Sequence, residues 1–153
     1  MMSVVLVEPE IPQNTGNVAR TCVLTNSRLH LIKPMGFSLD DKYLRRAGLD
    51  YWNLLEYYLH ESWDDFINKY DESRFIYFST KGDRLYTELE FNSDDFLVFG
   101  SETSGLPDNI LSNSNDVFRL PMSASIERSL NLSNTVAVVL FEALRQHNFP
   151  GMI

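Results

Sequence analysis

The stretch Phe96-Leu97-Val98-Phe99-Gly100-Ser101-Glu102-Thr103-Ser104-Gly105-Leu106-Pro107 decides how this chain folds. Its four leading apolar residues make a strand buried on both faces, and they run without a polar break into a loop bounded by Gly100 and Gly105. Strands buried on both faces belong to parallel sheets, whose carboxyl-end loops converge on a crevice where α/β proteins bind ligands. Two glycines let that loop bend closely around a ligand, and Pro107 suits the first position of a following helix. The loop is neither G-x-G-x-x-G nor G-x-x-x-x-G-K-[ST], so nicotinamide dehydrogenase and nucleotide triphosphatase chemistry have no support.

Outward from this stretch, apolar runs rich in β-branched or aromatic residues recur at 4–7, 29–32, 75–78 and 117–120 and read as further buried strands. Helical periodicity fills the intervals at 17–25, 41–46, 62–70 and 132–146. Strand and helix alternate, so the class is α/β, with a mostly parallel sheet flanked by helices. In the last helix Val136, Val139, Leu140, Ala143 and Leu144 follow the i, i+3, i+4 rule. Leu132, Ala137, Val138 and Phe141 widen that stripe, so a second face meets either another element of the domain or a second copy of the chain. No linker, repeat or low-complexity stretch interrupts the chain, and residues 1–153 read as a single domain.

With 44% of its 153 residues hydrophobic, the chain can bury one sizeable core. Its 21 acidic residues outnumber 13 basic ones, for a formal charge of -8. A general-purpose RNA coat is excluded, and any polyanion must be met by a local basic cluster. Cys22 is the only cysteine and His30, His60 and His147 are scattered, which argues against a disulfide and against a structural metal. The opening MMSVVLVEPE has no basic stretch ahead of its short apolar run, and no segment reaches the roughly 18 apolar residues of a membrane span, so the expected location is the cytoplasm.

Two more polar stretches exceed what a core needs. In Glu8-Pro9-Glu10-Ile11-Pro12-Gln13-Asn14-Thr15-Gly16-Asn17-Val18-Ala19-Arg20 the prolines stop the first strand and Asn14 or Thr15 can cap a helix. Asn17 and Arg20 share one face of that helix while Val18 and Cys22 point to the sheet, and a guanidinium beside helix N-terminal amides suits phosphate or ribose. The other runs from Phe118-Arg119-Leu120-Pro121-Met122 to Glu127-Arg128-Ser129-Leu130-Asn131-Leu132-Ser133-Asn134-Thr135. Ser129, Asn131, Ser133 and Asn134 are more hydrogen-bonding side chains than one cap requires, so some face a ligand or another chain. Ser129 lacks a neighbouring histidine and a G-x-S-x-G elbow, which leaves hydrolase chemistry without support.

In order, EPEIPQNTGNVAR, LVFGSETSGLP and RLPM…RSLNLSNTVAVVLFEALRQ resemble the three motifs of the SPOUT class of RNA methyltransferases, closest to the small subfamily that methylates the ribose 2′-oxygen of the tRNA wobble nucleotide. The segment PMGFSLDDKYLRRAGLDYW also looks like that subfamily. The resemblance implies a C-terminal trefoil knot, otherwise a rare exception to unknotted topology, a homodimer, and S-adenosylmethionine bound in the knot. It implies cofactor contacts at the backbone of Phe78, Gly100, Leu120 and Ser129, with Glu102, Gly105 and Asn131 shaping the loops. It places the catalytic role on Arg20, acting across the dimer, with Asn17, Ser129 and Asn131 beside it, and the substrate as the anticodon stem-loop of leucine tRNA isoacceptors. Phe141 stands where the subfamily commonly has tyrosine, so a hydroxyl contact is lost there.

Lys42, Arg45 and Arg46, with Arg20, Lys33, Arg119 and Arg128, are the plausible phosphate contacts. The competing use of the first three is pairing with Asp40, Asp41 and Asp50 on a solvated helix face. Tyr43, Tyr51 and Trp52 can stack on a loop base or pack on the core. Two other readings remain open: 2′-O-methylation elsewhere, as in ribosomal RNA, and a silent dimeric RNA-binding factor.

Overall fold

A computed structural model describes residues 1–153, except for the side chains of residues 48–50. Seven strands, β1 (Ser3–Val7), β2 (Arg28–Ile32), β3 (Tyr57–His60), β4 (Phe75–Phe78), β5 (Arg84–Leu85), β6 (Phe96–Phe99) and β7 (Val117–Arg119), form one sheet in the order β3-β2-β1-β6-β4-β7-β5. Every pairing is parallel. The helices are α1 (Pro12–Leu24), α2 (Lys42–Trp52), α3 (Trp63–Lys69), α4 (Asp108–Leu111) and α5 (Leu132–Gln146).

All residues of β1 and β6 are buried, because helices cover both faces of the sheet at its centre. One face carries Val4, Leu6, Leu29, Leu31, Leu97 and Phe99, packed against Val18, Ala19 and Cys22 of α1 and Val136, Val139 and Leu140 of α5. The other carries Val5, Val7, Ile32, Phe96 and Val98 against Phe66 of α3 and Ile110 of α4. Each fully buried Leu, Val or Phe contributes about 1.5–3 kcal/mol of transfer free energy, so this alternation fixes the strand register.

β3 and β5 are additions to the sequence expectation, and α4 follows Pro107, which stands as its N-cap and not as its first residue. β3 is an edge strand with two half-buried tyrosines and an exposed Leu59, which gives no buried apolar run. α1 begins at Pro12, so Asn14 and Thr15 lie buried within it rather than capping it. α2 continues to Trp52, with Asp41 capping through Tyr43 N and Leu44 N at 2.8 and 3.3 Å.

The far edge of the sheet has an unusual path. Phe78 of β4 and Arg84 of β5 both pair with Phe118 of β7, from opposite sides. The bridging residues 79–83 therefore cross over β7 at Phe118, and Ser79 N donates to Phe118 O at 2.9 Å. β7 passes between two strands joined directly to each other, and its continuation leads into the loop before α5.

Candidate active site

The loops after β4, β6 and β7 meet at the carboxyl ends of the strands and enclose a cleft of about 390 Å³. That lies within the range of small-molecule sites, about 300–1,000 Å³, and the position is where open parallel sheets bind ligands. Phe78, Gly100, Glu102, Gly105, Leu120, Ser129 and Asn131 all line it together with Ile11 and Asn14, so parts of all three sequence stretches come together. Arg119 and Met122 line it too. Apolar Phe78, Phe99, Leu106 and Leu120 offer surface for a flat ring, while the Ser129 and Thr135 hydroxyls and loop backbone groups offer hydrogen bonds. The donor set suits a nucleoside.

The two glycines do different work. A Cβ on Gly100 would overlap the backbone of Gly105 and Leu106, because Ser101 N donates to Gly105 O at 3.3 Å and Gly105 N to Ser101 O at 3.0 Å. Gly100 thus closes the loop on itself rather than making room for a ligand. Gly105 has φ +66 and open space where a Cβ would stand, so it frees the left-handed turn and leaves the cleft wall bare.

A hydrogen-bonded chain locks the three stretches together. Glu102 accepts from Glu10 N at 2.8 Å and Ile11 N at 3.0 Å, holding the start of α1, and from Asn14 Nδ2 at 3.3 Å. Asn14 Oδ1 in turn accepts from Asn131 Nδ2 at 3.0 Å. Asn131 Oδ1 caps α5 by accepting from Ser133 N at 2.9 Å and Ser133 Oγ at 2.8 Å. The Asn131 side chain is therefore committed to positioning. Asn14 was legible only as a cap candidate; the signal that marks it is an amide on the buried face of an amphipathic helix, beside Thr15, Val18 and Cys22. Thr103 Oγ1 contacts both Glu10 carboxylate oxygens, at 2.7 and 2.9 Å, and hydrogen bonds from Thr103 and Ser101 lower the Glu10 pKa.

Arg20 and Asn17 are exposed on the outer face of α1 and do not line the cleft. The Arg20 guanidinium carbon lies 4.9 Å from the centroid of the Tyr51 ring. Leu24 (59% exposed) on α1 and Val138 (39%) and Phe141 (44%) on α5 are apolar side chains that the chain itself leaves uncovered.

Lys42, Arg45 and Arg46 are exposed on α2, away from the cleft. Arg45 pairs with Asp40 at 2.9 Å, while Asp41 is occupied as the cap; the pairing considered for Asp50 lies outside the described side chains. Trp52 packs on Tyr57 at 5.0 Å between centroids and against the core, while Tyr43 is 43% exposed with Lys42 Nζ 5.0 Å from its ring centroid.

The cysteine and the histidines lie elsewhere. Burial pushes the Cys22 thiol up to about 12, so it is inert. His30 Nδ1 and His60 Nε2 are 3.0 Å apart inside an aromatic cluster, with burial foremost in driving His30 down to about 3. No histidine lines the cleft, and among the described residues no group of His, Cys, Asp and Glu is placed to hold a metal ion. No helix of the described residues is long and apolar enough to cross a membrane.

Comparison with known proteins places this architecture. Proteins named tRNA (cytidine(34)-2′-O)-methyltransferase are 51% identical over 155 residues in Burkholderia ambifaria and 49% identical over 153 in Saccharophagus degradans, each match covering 99% of both chains. A solved structure described as giving insight into 2-OH methylation of C/U34 on tRNA superposes with TM-score 0.92 at 42% identity, covering 97% of each chain. The model of the SpoU rRNA Methylase family matches residues 1–141, which span the cleft and all three stretches that build it, and the chain belongs to that family.

Proposed function

We propose that this chain transfers a methyl group from S-adenosylmethionine to the ribose 2′-oxygen of the tRNA wobble nucleotide, acting in the cytoplasm as a homodimer. The observation that carries the reading is the cleft at the carboxyl ends of β4, β6 and β7, whose lining comes from all three motif stretches. Relatives bearing that activity in their names align from end to end. The substrate set is the anticodon stem-loop of leucine isoacceptors. Threading of β7 beneath residues 79–83 supports the trefoil knot as part of this reading.

S-adenosylmethionine supplies an electrophilic methyl on a sulfonium. Apolar Phe78, Leu106 and Leu120 would hold its adenine and loop backbone groups near Gly100 and Ser129 its polar edge, while Glu102 and Asn131 hold the loops in place through Asn14. In-line displacement depends on alignment and on excluding water, which rigid loops provide. The exposed apolar surface on α1 and α5 supports a two-fold dimer in which Arg20 of one protomer reaches the cleft of the other, with Asn17 beside it. A guanidinium stays charged at ordinary pH, so Arg20 pins the neighbouring phosphate and stabilises negative charge developing on the 2′-oxygen, while the proton leaves through phosphate or water. Lys42, Arg45 and Arg46 bind the phosphates of the stem-loop.

The test is transfer of labelled methyl from S-adenosylmethionine to total tRNA, to total ribosomal RNA and to buffer alone. Label in tRNA is the expected result. Label in ribosomal RNA only moves the substrate, and label in neither, with no cofactor bound by calorimetry, rejects an enzyme.

A further inference from the structure

Gly16 and Arg20 stand one turn apart on α1, and Ala47 and Tyr51 one turn apart on α2. The helices cross so closely at the first pair that a Cβ on Gly16 would lie 2.5 Å from Ala47 Cβ and 3.1 Å from Leu44 O. One turn further along both helices, that contact brings the Tyr51 ring under the Arg20 guanidinium, 4.9 Å from its centroid. Val18 of α1 and Leu44 of α2 are buried where the two helices pack, while Arg20 itself is exposed.

We infer that Tyr51 is a positioning residue for methyl transfer, holding the Arg20 guanidinium in place through its ring face. The inference rests on the assignment of Arg20 above. An exposed arginine samples many rotamers, and a group that must meet an oxyanion across a dimer interface gains by being held beforehand. A carboxylate would hold it as well, but would occupy its N–H donors and offset its charge. An aromatic face attracts the cation while leaving all five N–H donors and the full charge for phosphate or ribose oxygen. The hydroxyl of Tyr51 has no part in this, so phenylalanine serves equally, whereas leucine preserves apolar packing but has no ring quadrupole.

The experiment compares wild type, Tyr51→Phe, Tyr51→Leu and Arg20→Ala in steady-state methyl transfer to tRNA, with cofactor affinity from calorimetry. Tyr51→Leu is expected to lower kcat about two- to fivefold, the equivalent of a cation–π contact at an exposed site, with cofactor affinity and tRNA KM unchanged. Tyr51→Phe retains most of kcat. A second readout needs no variant: the Arg20 Nε–Hε resonance of the wild-type dimer is displaced by the ring current, and an undisplaced resonance overturns the inference even if Tyr51→Leu fails to fold. Wild-type kcat in Tyr51→Leu alongside an inactive Arg20→Ala overturns the inference and leaves the role of Arg20 standing. An active Arg20→Ala overturns both. A raised tRNA KM with unchanged kcat in Tyr51→Leu overturns it in favour of stacking on a nucleobase.

Discussion

Asn131 Nδ2 donates to Asn14 Oδ1 at 3.0 Å, tying the cap of α5 to the first turn of α1 across 117 residues of chain. Because Asn14 also donates to Glu102, the start of α1, the loop after β6 and the cap of α5 are joined by one hydrogen-bonded relay. Asn131→Ala removes the α5 cap, worth about 1 kcal/mol, and orphans the Asn14 oxygen, at about 1–3 kcal/mol. Chemical denaturation is expected to show a loss of about 2–4 kcal/mol from these two together, and calorimetry a weaker affinity for S-adenosylmethionine. Asn131→Asp keeps the cap but not the donor, and is expected to fall between the two.

Gly100 and Gly105 separate folding from binding. Gly100→Ala forces the loop apart at the Gly105 backbone and is expected to abolish cofactor binding together with a lowered Tm. Gly105→Ala places its methyl in open space but must hold φ near +66, a strain of about 1–2 kcal/mol, so the protein folds and binds the cofactor less tightly. Thermal unfolding and calorimetry on the two variants check the contrast.

The buried histidine pair makes stability depend on pH. Burial, followed by repulsion from His60, Arg28 and Lys69, lowers the His30 pKa to about 3, and burial lowers that of His60. Unfolded histidine titrates near 6.5, so the stability from keeping His30 neutral is present above that pH and is lost as the pH falls from about 6.5 toward about 3, at about 1.4 kcal/mol per unit. Asp95, whose pKa burial raises, acts in the opposite sense in the carboxylate range. Urea unfolding at pH 8 and pH 5.5 is expected to show lower stability at the acid value, and a shallower dependence in the His30→Leu, His60→Leu double variant.

Arg45→Ala with Arg46→Ala is expected to weaken tRNA binding several-fold at low salt, with a shallower salt dependence, and to leave cofactor affinity alone, since neither residue lines the cleft. Filter binding across a salt series reads this. Arg20→Lys, which keeps the charge without the planar fork, is expected to retain a little activity and Arg20→Ala almost none.

What the sequence revealed followed burial. β1, β4 and β6 lie at or beside the centre of the sheet, and their apolar runs are legible in isolation. β3 and β5 owe their existence to neighbours already in place, and two residues such as Arg84 and Leu85 carry no pattern of their own. The start of α1 was misplaced because the Glu102 carboxylate that holds it lies 91 residues from Ile11. The passage of β7 under residues 79–83 likewise has no local signature. The cleft residues were identified through motif resemblance, and the structure adds how they cohere: an amide relay through a buried asparagine that periodicity alone assigns to the core.

The most direct measurement of the central claim is nuclease digestion and mass spectrometry of tRNA methylated by this protein with labelled S-adenosylmethionine, the tRNA coming from a strain that lacks the enzyme. The label is expected on the ribose of the wobble nucleotide of leucine tRNA. Label on a base, or on the ribose of any other position, contradicts it.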